Sequence, residues 1–308
     1  MARLAIVVLA VALAGCGLSE AELAEQNGDS SAMGEELSAS SRSFVTLRHD
    51  ARRCLAPLCG GYWVADVNRV SLNEQYVSAL DFTTAGVRFD DATIAKVLEA
   101  ADGEVVLHGK LGVKEPAYQT RKFVVTSAWR GMPGVKAAAG DVFYSAQEMS
   151  VQCFAAPCPT MQVKKLNATA TTLAHGLSLA RASMPFVDQG WLSSRVLSHG
   201  GLVAARFSAG QVFQAGTERI VDASQAFVML PERAGPCAMP PIRQCPAGQV
   251  HTGARTVDRC VMATACVTQT SCPQRVPPQC AAGYTVQGWV AGTNACMTFA
   301  CDPTFVVE

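Results

Sequence analysis

Cys54–Leu–Ala–Pro–Leu–Cys59 recurs 99 positions later as Cys153–Phe–Ala–Ala–Pro–Cys158, and this repetition decides the architecture before any other motif is read. The spacing persists beyond the cysteines: Val64, Val67 and Asn68 match Val163, Leu166 and Asn167, and Val97–Leu98 matches Val196–Leu197. Phe123–Val124 and Ser127 then resemble Ile220–Val221 and Ser224 at a spacing of 97, which fits a two-residue deletion. Two homologous repeat domains are expected, over 42–141 and 142–235.

Hydrophobic periodicity gives each repeat the same content. Ser43–Leu47 and Val142–Ser145 read as leading strands, and Tyr62–Val67 and Thr160–Leu166 alternate as half-buried strands do. Asp91–Ala101 has the best helical pattern, with Ile94, Val97, Leu98 and Ala101 on one face, an acidic start and Asp102–Gly103 as a stop. Gly190–Ser198 is its weaker counterpart. Glu104–Leu111 and Lys122–Trp129, then Gly201–Phe207 and Arg219–Leu230, read as strands. The fold class is α+β, dominated by strands, with about one helix per repeat.

After Pro231 to Pro236 a second duplication begins, over 236–308. Cys237, Cys245, Gly248, Gly253 and Cys266 reappear 35 residues on as Cys272, Cys280, Gly283, Gly288 and Cys301, and Cys260 matches Cys296 with one residue inserted. Each copy is too short to build a core without covalent staples. Such disulfide modules resemble extracellular binding domains and protease inhibitors, and Ala247–Asp258 or Ala281–Asn294 could serve as a presented loop.

The N-terminus adds the location. Arg3 precedes an apolar run from Leu4 to Ala14, the form of a secretory signal peptide and too short to span a bilayer. Leu13–Ala14–Gly15–Cys16 resembles the lipobox of bacterial lipoproteins. That resemblance implies removal of residues 1–15 and acylation of Cys16, so that several chains hold the protein on a membrane. Gly17 after the cysteine resembles the sorting pattern for the outer membrane. Residues 16–41, rich in Ala, Glu, Ser and Gly, read as a flexible tether.

Thirteen cysteines suit an oxidising compartment. Removing Cys16 leaves twelve, enough for six disulfides among Cys54, Cys59, Cys153, Cys158, Cys237, Cys245, Cys260, Cys266, Cys272, Cys280, Cys296 and Cys301, with the pairing open within the C-terminal copies. Metal binding by the C-x4-C pairs, with His49 joining, is the alternative, and disulfides are preferred in an exported chain. No metal or cofactor is expected. The 25 basic and 25 acidic residues balance and no basic run exists, so no nucleic-acid partner is expected.

No catalytic residue is nominated. His49, His108, His175, His199 and His251 lack metal-ligand spacing, and no nucleophile elbow, phosphate loop or dinucleotide fingerprint is present. Ser198–His199–Gly200–Gly201 reads as a turn after a helix, and Asn167–Ala168–Thr169 matches the glycosylation pattern without a role assigned to it. Trp63, Trp129, Trp191, Trp289, Tyr62 and Tyr284 are read mainly as packing residues that could contribute to a groove. The whole resembles cell-envelope lipoproteins built from tandem domains of unknown function. Two readings of function stand: a membrane-anchored binding or structural module whose partner is an envelope protein, peptide or glycan, and an enzyme inhibitor or hydrolase with its site between the repeats. Equivalent grooves filled by unlike residues would favour the first.

Overall fold

The structure is a computed structural model and describes residues 41–69, 74–151, 153–232, 237, 244–272 and 276–306. The signal peptide, Cys16 and the tether up to residue 40 lie outside the described residues.

The first half runs β1 (Ser43–His49), β2 (Tyr62–Asp66), β3 (Gln75–Val77), β4 (Ala79–Asp81), α1 (Asp91–Leu98), β5 (Val105–Leu111) and β6 (Lys122–Gly131). The second runs β7 (Val142–Glu148), β8 (Met161–Lys165), β9 (Thr171–Ala174), β10 (Gly176–Ser178), α2 (Gln189–Ser198), β11 (Leu202–Phe213) and β12 (Gly216–Leu230). Helix α1 begins where Asp90 caps the Thr93 amide, and α2 where Asp188 caps the Trp191 amide. The short strands β3, β4, β9 and β10 escape the sequence reading, because three or four residues carry too little alternation to register.

All these strands join one twelve-stranded sheet, ordered β3-β2-β1-β5-β6-β12-β11-β7-β8-β9, with β4 added to β6 and β10 to β12 in parallel. The order reads the same from either end about the antiparallel β6–β12 pair. Register follows suit: β1 meets β2 from Val45↔Asp66 to His49↔Tyr62, and β7 meets β8 from Tyr144↔Lys165 to Glu148↔Met161. A register shift after His108 in β5 has its counterpart after Ala204 in β11. The register sets Phe123 level with Val221 rather than with Ile220, one residue from the alignment read in the sequence. The two expected domains thus share a single sheet.

Neighbouring strand residues point to opposite faces, which splits the apolar side chains into two clusters. Val45, Leu107, Ala128 and Val203 join Val97 of α1 and Trp191, Leu192 and Val196 of α2 in the larger one. Val106, Trp129, Leu202, Ala204 and Phe227, with Val67 and Leu166 from the turns after β2 and β8, form the smaller. Burying Trp191 and Phe227 completely stabilises the fold by about 2–3 kcal/mol each.

The cysteine-rich region forms two hairpins, β13 (Gln249–Arg255) with β14 (Val261–Thr268) and β15 (Tyr284–Ala291) with β16 (Cys296–Pro303). Ala247–Asp258 and Ala281–Asn294, read from sequence as presentable loops, instead carry strands β13 and β15 over most of their length, with only the hairpin turns left as loops. β-branched and aromatic residues such as Val250 and Thr252 in β13, and Tyr284, Val286 and Trp289 in β15, favour the extended ladder there. Disulfides join the first cysteine to the third and the second to the fourth in both copies: Cys237–Cys260 with Cys245–Cys266, and Cys272–Cys296 with Cys280–Cys301. The hairpins are fastened to the sheet. Tyr284, Cys301, Phe305 and Val306 enter the larger core, and the Tyr284 hydroxyl donates to the Pro133 carbonyl at 3.1 Å. Buried Arg195 pairs with Glu232 at 2.6 Å and with Asp258 at 3.0 Å, while Arg255 pairs with Asp302 and packs over Trp289.

Candidate functional site

Two asparagines close the sheet on itself. Asn68, after β2, and Asn167, after β8, both take the left-handed conformation, at φ 60° and 55°, which asparagine tolerates better than most residues. The Asn167 side chain accepts from the Phe44 amide at 2.7 Å and donates to the Phe44 and Val67 carbonyls at 2.7 and 3.0 Å. Asn68 repeats this on the other half, accepting from the Phe143 amide at 2.7 Å and donating to the carbonyls of Phe143 and Leu166 at 2.7 and 3.0 Å. Strands β1 and β8 stand six places apart in the sheet, which laid flat would separate them by roughly 29 Å at about 4.8 Å per strand. Direct bonds between them require the sheet to curl into a barrel-like form, with the smaller cluster inside.

Along this closure lies a pocket of about 420 Å³, within the range of small-ligand sites. Its first side is Arg42, Phe44 and His108 from β1 and β5; its second is Ser145 and the stretch from Lys164 to Thr169; Arg69 stands at the turn between. Phe44 forms an apolar floor, its ring 4.6 Å from that of His108 and 5.5 Å from Trp129. The Thr126 hydroxyl donates to the His108 carbonyl at 2.9 Å, so the His108 Nδ1, also 2.9 Å from that hydroxyl, acts as the donor in the second contact and leaves Nε2 with the lone pair. Burial, and then the charge of Arg42, lowers the His108 pKa from its ordinary value.

The pocket is cationic. Arg69 pairs with Asp66 at 3.3 Å, and burial pushes the Asp66 carboxyl up. Arg42, Lys164 and Lys165 form no ion pair among the described residues. The matching positions in the second half are occupied differently. By strand register Arg42 and Lys110 correspond to Asp141 and Arg206, and there Arg206 binds Asp141 at 2.7 Å, the carboxylate wholly buried. Lys164 and Lys165 correspond to Ala65 and Asp66. One half thus supplies its own acid–base pair at these positions, whereas the other lines an open, positive pocket.

The remaining sequence candidates fall elsewhere. Cys54–Cys59 and Cys153–Cys158 are disulfides at the β1–β2 and β7–β8 tips, so their sulfurs are not metal donors. His49 is held by Asp102 and the Leu98 carbonyl, both at 3.1 Å, at the end of α1. At the first tip Asp50 accepts from Arg52, the Gly60 amide and the Trp63 indole, and Arg52 stacks over Trp63 and Tyr76 at 4.9 and 4.8 Å. Arg52 beside it holds the Asp50 carboxyl well below the usual carboxylate range. Cys245, His251 and Cys266 lie within 4.8 Å of one another, but the two sulfurs are bonded together. His199 sits in the turn after α2, its Nδ1 3.1 Å from the Ser194 carbonyl. Trp129, Trp191 and Tyr284 are buried packing residues; Trp63, Trp289 and Tyr62 are half-buried. The pocket cations were not nominated from sequence, because exposed lysines and arginines carry no pattern until folding brings them together.

A family model described as a domain of unknown function (DUF6748) matches residues 43–232, ending just beyond β12. The chain is also similar to an uncharacterized protein of Dictyostelium discoideum, 26% identical over 265 residues, which covers 82% of this chain and 84% of that one. That similarity is longer than the family match, and the relative is eukaryotic. No solved structure matches.

Proposed function

We propose that this chain, which belongs to the DUF6748 family, is a lipid-anchored cell-envelope binding module whose ligand occupies the pocket at the closure of the sheet. In this reading the sheet arose by duplication of a unit like residues 42–141. Matching registers and the reciprocal asparagines support that origin. Cys16 carries the acyl chains that hold the protein at the outer membrane, residues 16–41 give it reach, and the rigid body binds an envelope protein, peptide or glycan without turning it over. One observation carries the reading: at corresponding positions of the two halves, one holds the Arg206–Asp141 ion pair while the other opens into a pocket lined by cations without acid partners. Packing alone gives no reason for that difference.

Thermal-shift screening of the full chain against peptides, glycans and small metabolites tests the binding role, with Ala168→Trp to fill the pocket. Ligands that stabilise the protein should lose their effect in the variant; ligands that stabilise both forms equally would sink the assignment of the site. Intact mass of the protein extracted from its own membrane tests the anchor. A chain beginning at Cys16 with two or three acyl groups is expected, and an unacylated chain overturns the lipoprotein reading.

A further inference from the structure

Resting on that reading of the pocket, we propose that its ligand carries a multiply charged phosphate group. The charge balance comes first. Arg42, Arg69, Lys164 and Lys165 line the pocket, and Asp66 is the acid paired with one of them. Three positive charges remain without an acidic partner among the described residues. A single carboxylate would leave two of them unmatched. A phosphate monoester, with about −1.5 to −2 charge and three acceptor oxygens, or a diphosphate, comes closer to balance and offers enough lone pairs for both guanidinium forks and the Lys164 ammonium, while Lys165, on the opposite face of β8, adds its charge at the rim.

The second half shows the same strand positions already supplied with an anion. Where Asp141 brings a buried carboxylate to Arg206, the first half places a second cation, Arg42, near Lys110. The protein provides its own counter-charge in one groove and leaves it to come from outside in the other. The pocket floor sets the rest of the ligand: Phe44 and Leu166 present apolar surface, and Ser145 and Thr169 present hydroxyls. This suits a compact polar body, such as a sugar, joined to the phosphate.

The phosphate can reach the pocket on a soluble molecule or on a lipid headgroup, and the experiment separates the two. Titrate the full chain in detergent with inorganic pyrophosphate and with glucose 6-phosphate by calorimetry, and measure the flotation of its Cys16→Ala form, which lacks the acyl anchor, with phosphatidylcholine vesicles with and without phosphatidic acid. Compare the wild type with Lys164→Ala and with Arg42→Asp, which copies the acid at the matching position; Arg53→Ala, in the β1–β2 tip beyond the other end of β1, serves as a distant control. Saturable pyrophosphate binding that falls about 10- to 100-fold in both pocket variants and is unchanged in the control supports the proposal. Flotation that depends on phosphatidic acid and on the same residues, without binding of the soluble probes, assigns the phosphate to a headgroup. Binding that the pocket variants leave intact, or no response to either phosphate source by a folded protein, overturns it. In that case a neutral ligand displaced by Ala168→Trp would leave the binding-module reading standing, whereas the absence of any pocket-dependent ligand would remove both.

Discussion

Corresponding positions of the two halves along the sheet closure share a backbone register and do opposite things with charge. In the first, Arg42 and Lys164 line the pocket without an acid, with Lys165 beside them on the opposite face of β8; in the second, Asp141 and Arg206 pair with each other. The backbone that supports both is fixed by elements indifferent to that charge, namely the hairpin registers and the two asparagines with their six side-chain bonds. Separating scaffold from surface in this way lets one half serve as a packed counterpart while the other presents a site.

The comparison is tested hardest where the halves should behave alike. Asn68→Ala and Asn167→Ala each remove three bonds at a partly buried turn and place alanine at positive φ, so each should cost about 3 kcal/mol in chemical denaturation. Near-equal losses would confirm reciprocal closure; a large cost for one and none for the other would break the equivalence. A smaller effect should distinguish the halves. Arg206→Ala strands the buried Asp141 carboxylate and should cost about 1–3 kcal/mol, while Arg42→Ala should stay within about 0.5 kcal/mol of wild type or raise stability by relieving repulsion. Equal costs would mean that the first groove hides a counter-charge.

The smallest expected effect separates the two disulfide tips. Asp50 organises the first, whereas the second has Met149 at the matching position. Because the folded state depresses the Asp50 pKa, its contribution is complete above the ordinary carboxylate range and is lost as pH falls through the folded value. Acid titration carried well below the ordinary carboxylate range should therefore change the fluorescence of Trp63, which donates to Asp50, while NMR signals of residues 153–158 stay in place. Simultaneous loosening of both tips would remove Asp50 as the cause.

Much of the scaffold was legible in the chain. The leading strands, the α1 pattern and the duplicated cysteines are local signals, and the helices start within a residue of their expected places because Asp90 and Asp188 are strong caps. The pocket was not legible. His108 read as an isolated histidine and Lys164–Lys165 as the polar edge of a strand, since period-two alternation says which face a side chain takes and nothing about which strand lies opposite. The aromatic residues drew attention as groove candidates, yet large rings are drawn into cores by the area they bury, as Trp129 and Trp191 are.

By itself, then, the sequence determined the longer strands, both helices and the 99-residue spacing of the two C-x4-C segments, all read from near neighbours or from matching stretches of chain. Only the tertiary structure decided that the halves share one sheet, that each asparagine secures the opposite half, and that residues as far apart as Arg42 and Lys164 line one cavity. Strand order and closure depend on contacts between distant segments whose loop-closure cost and pairing preferences leave no periodic trace along the chain.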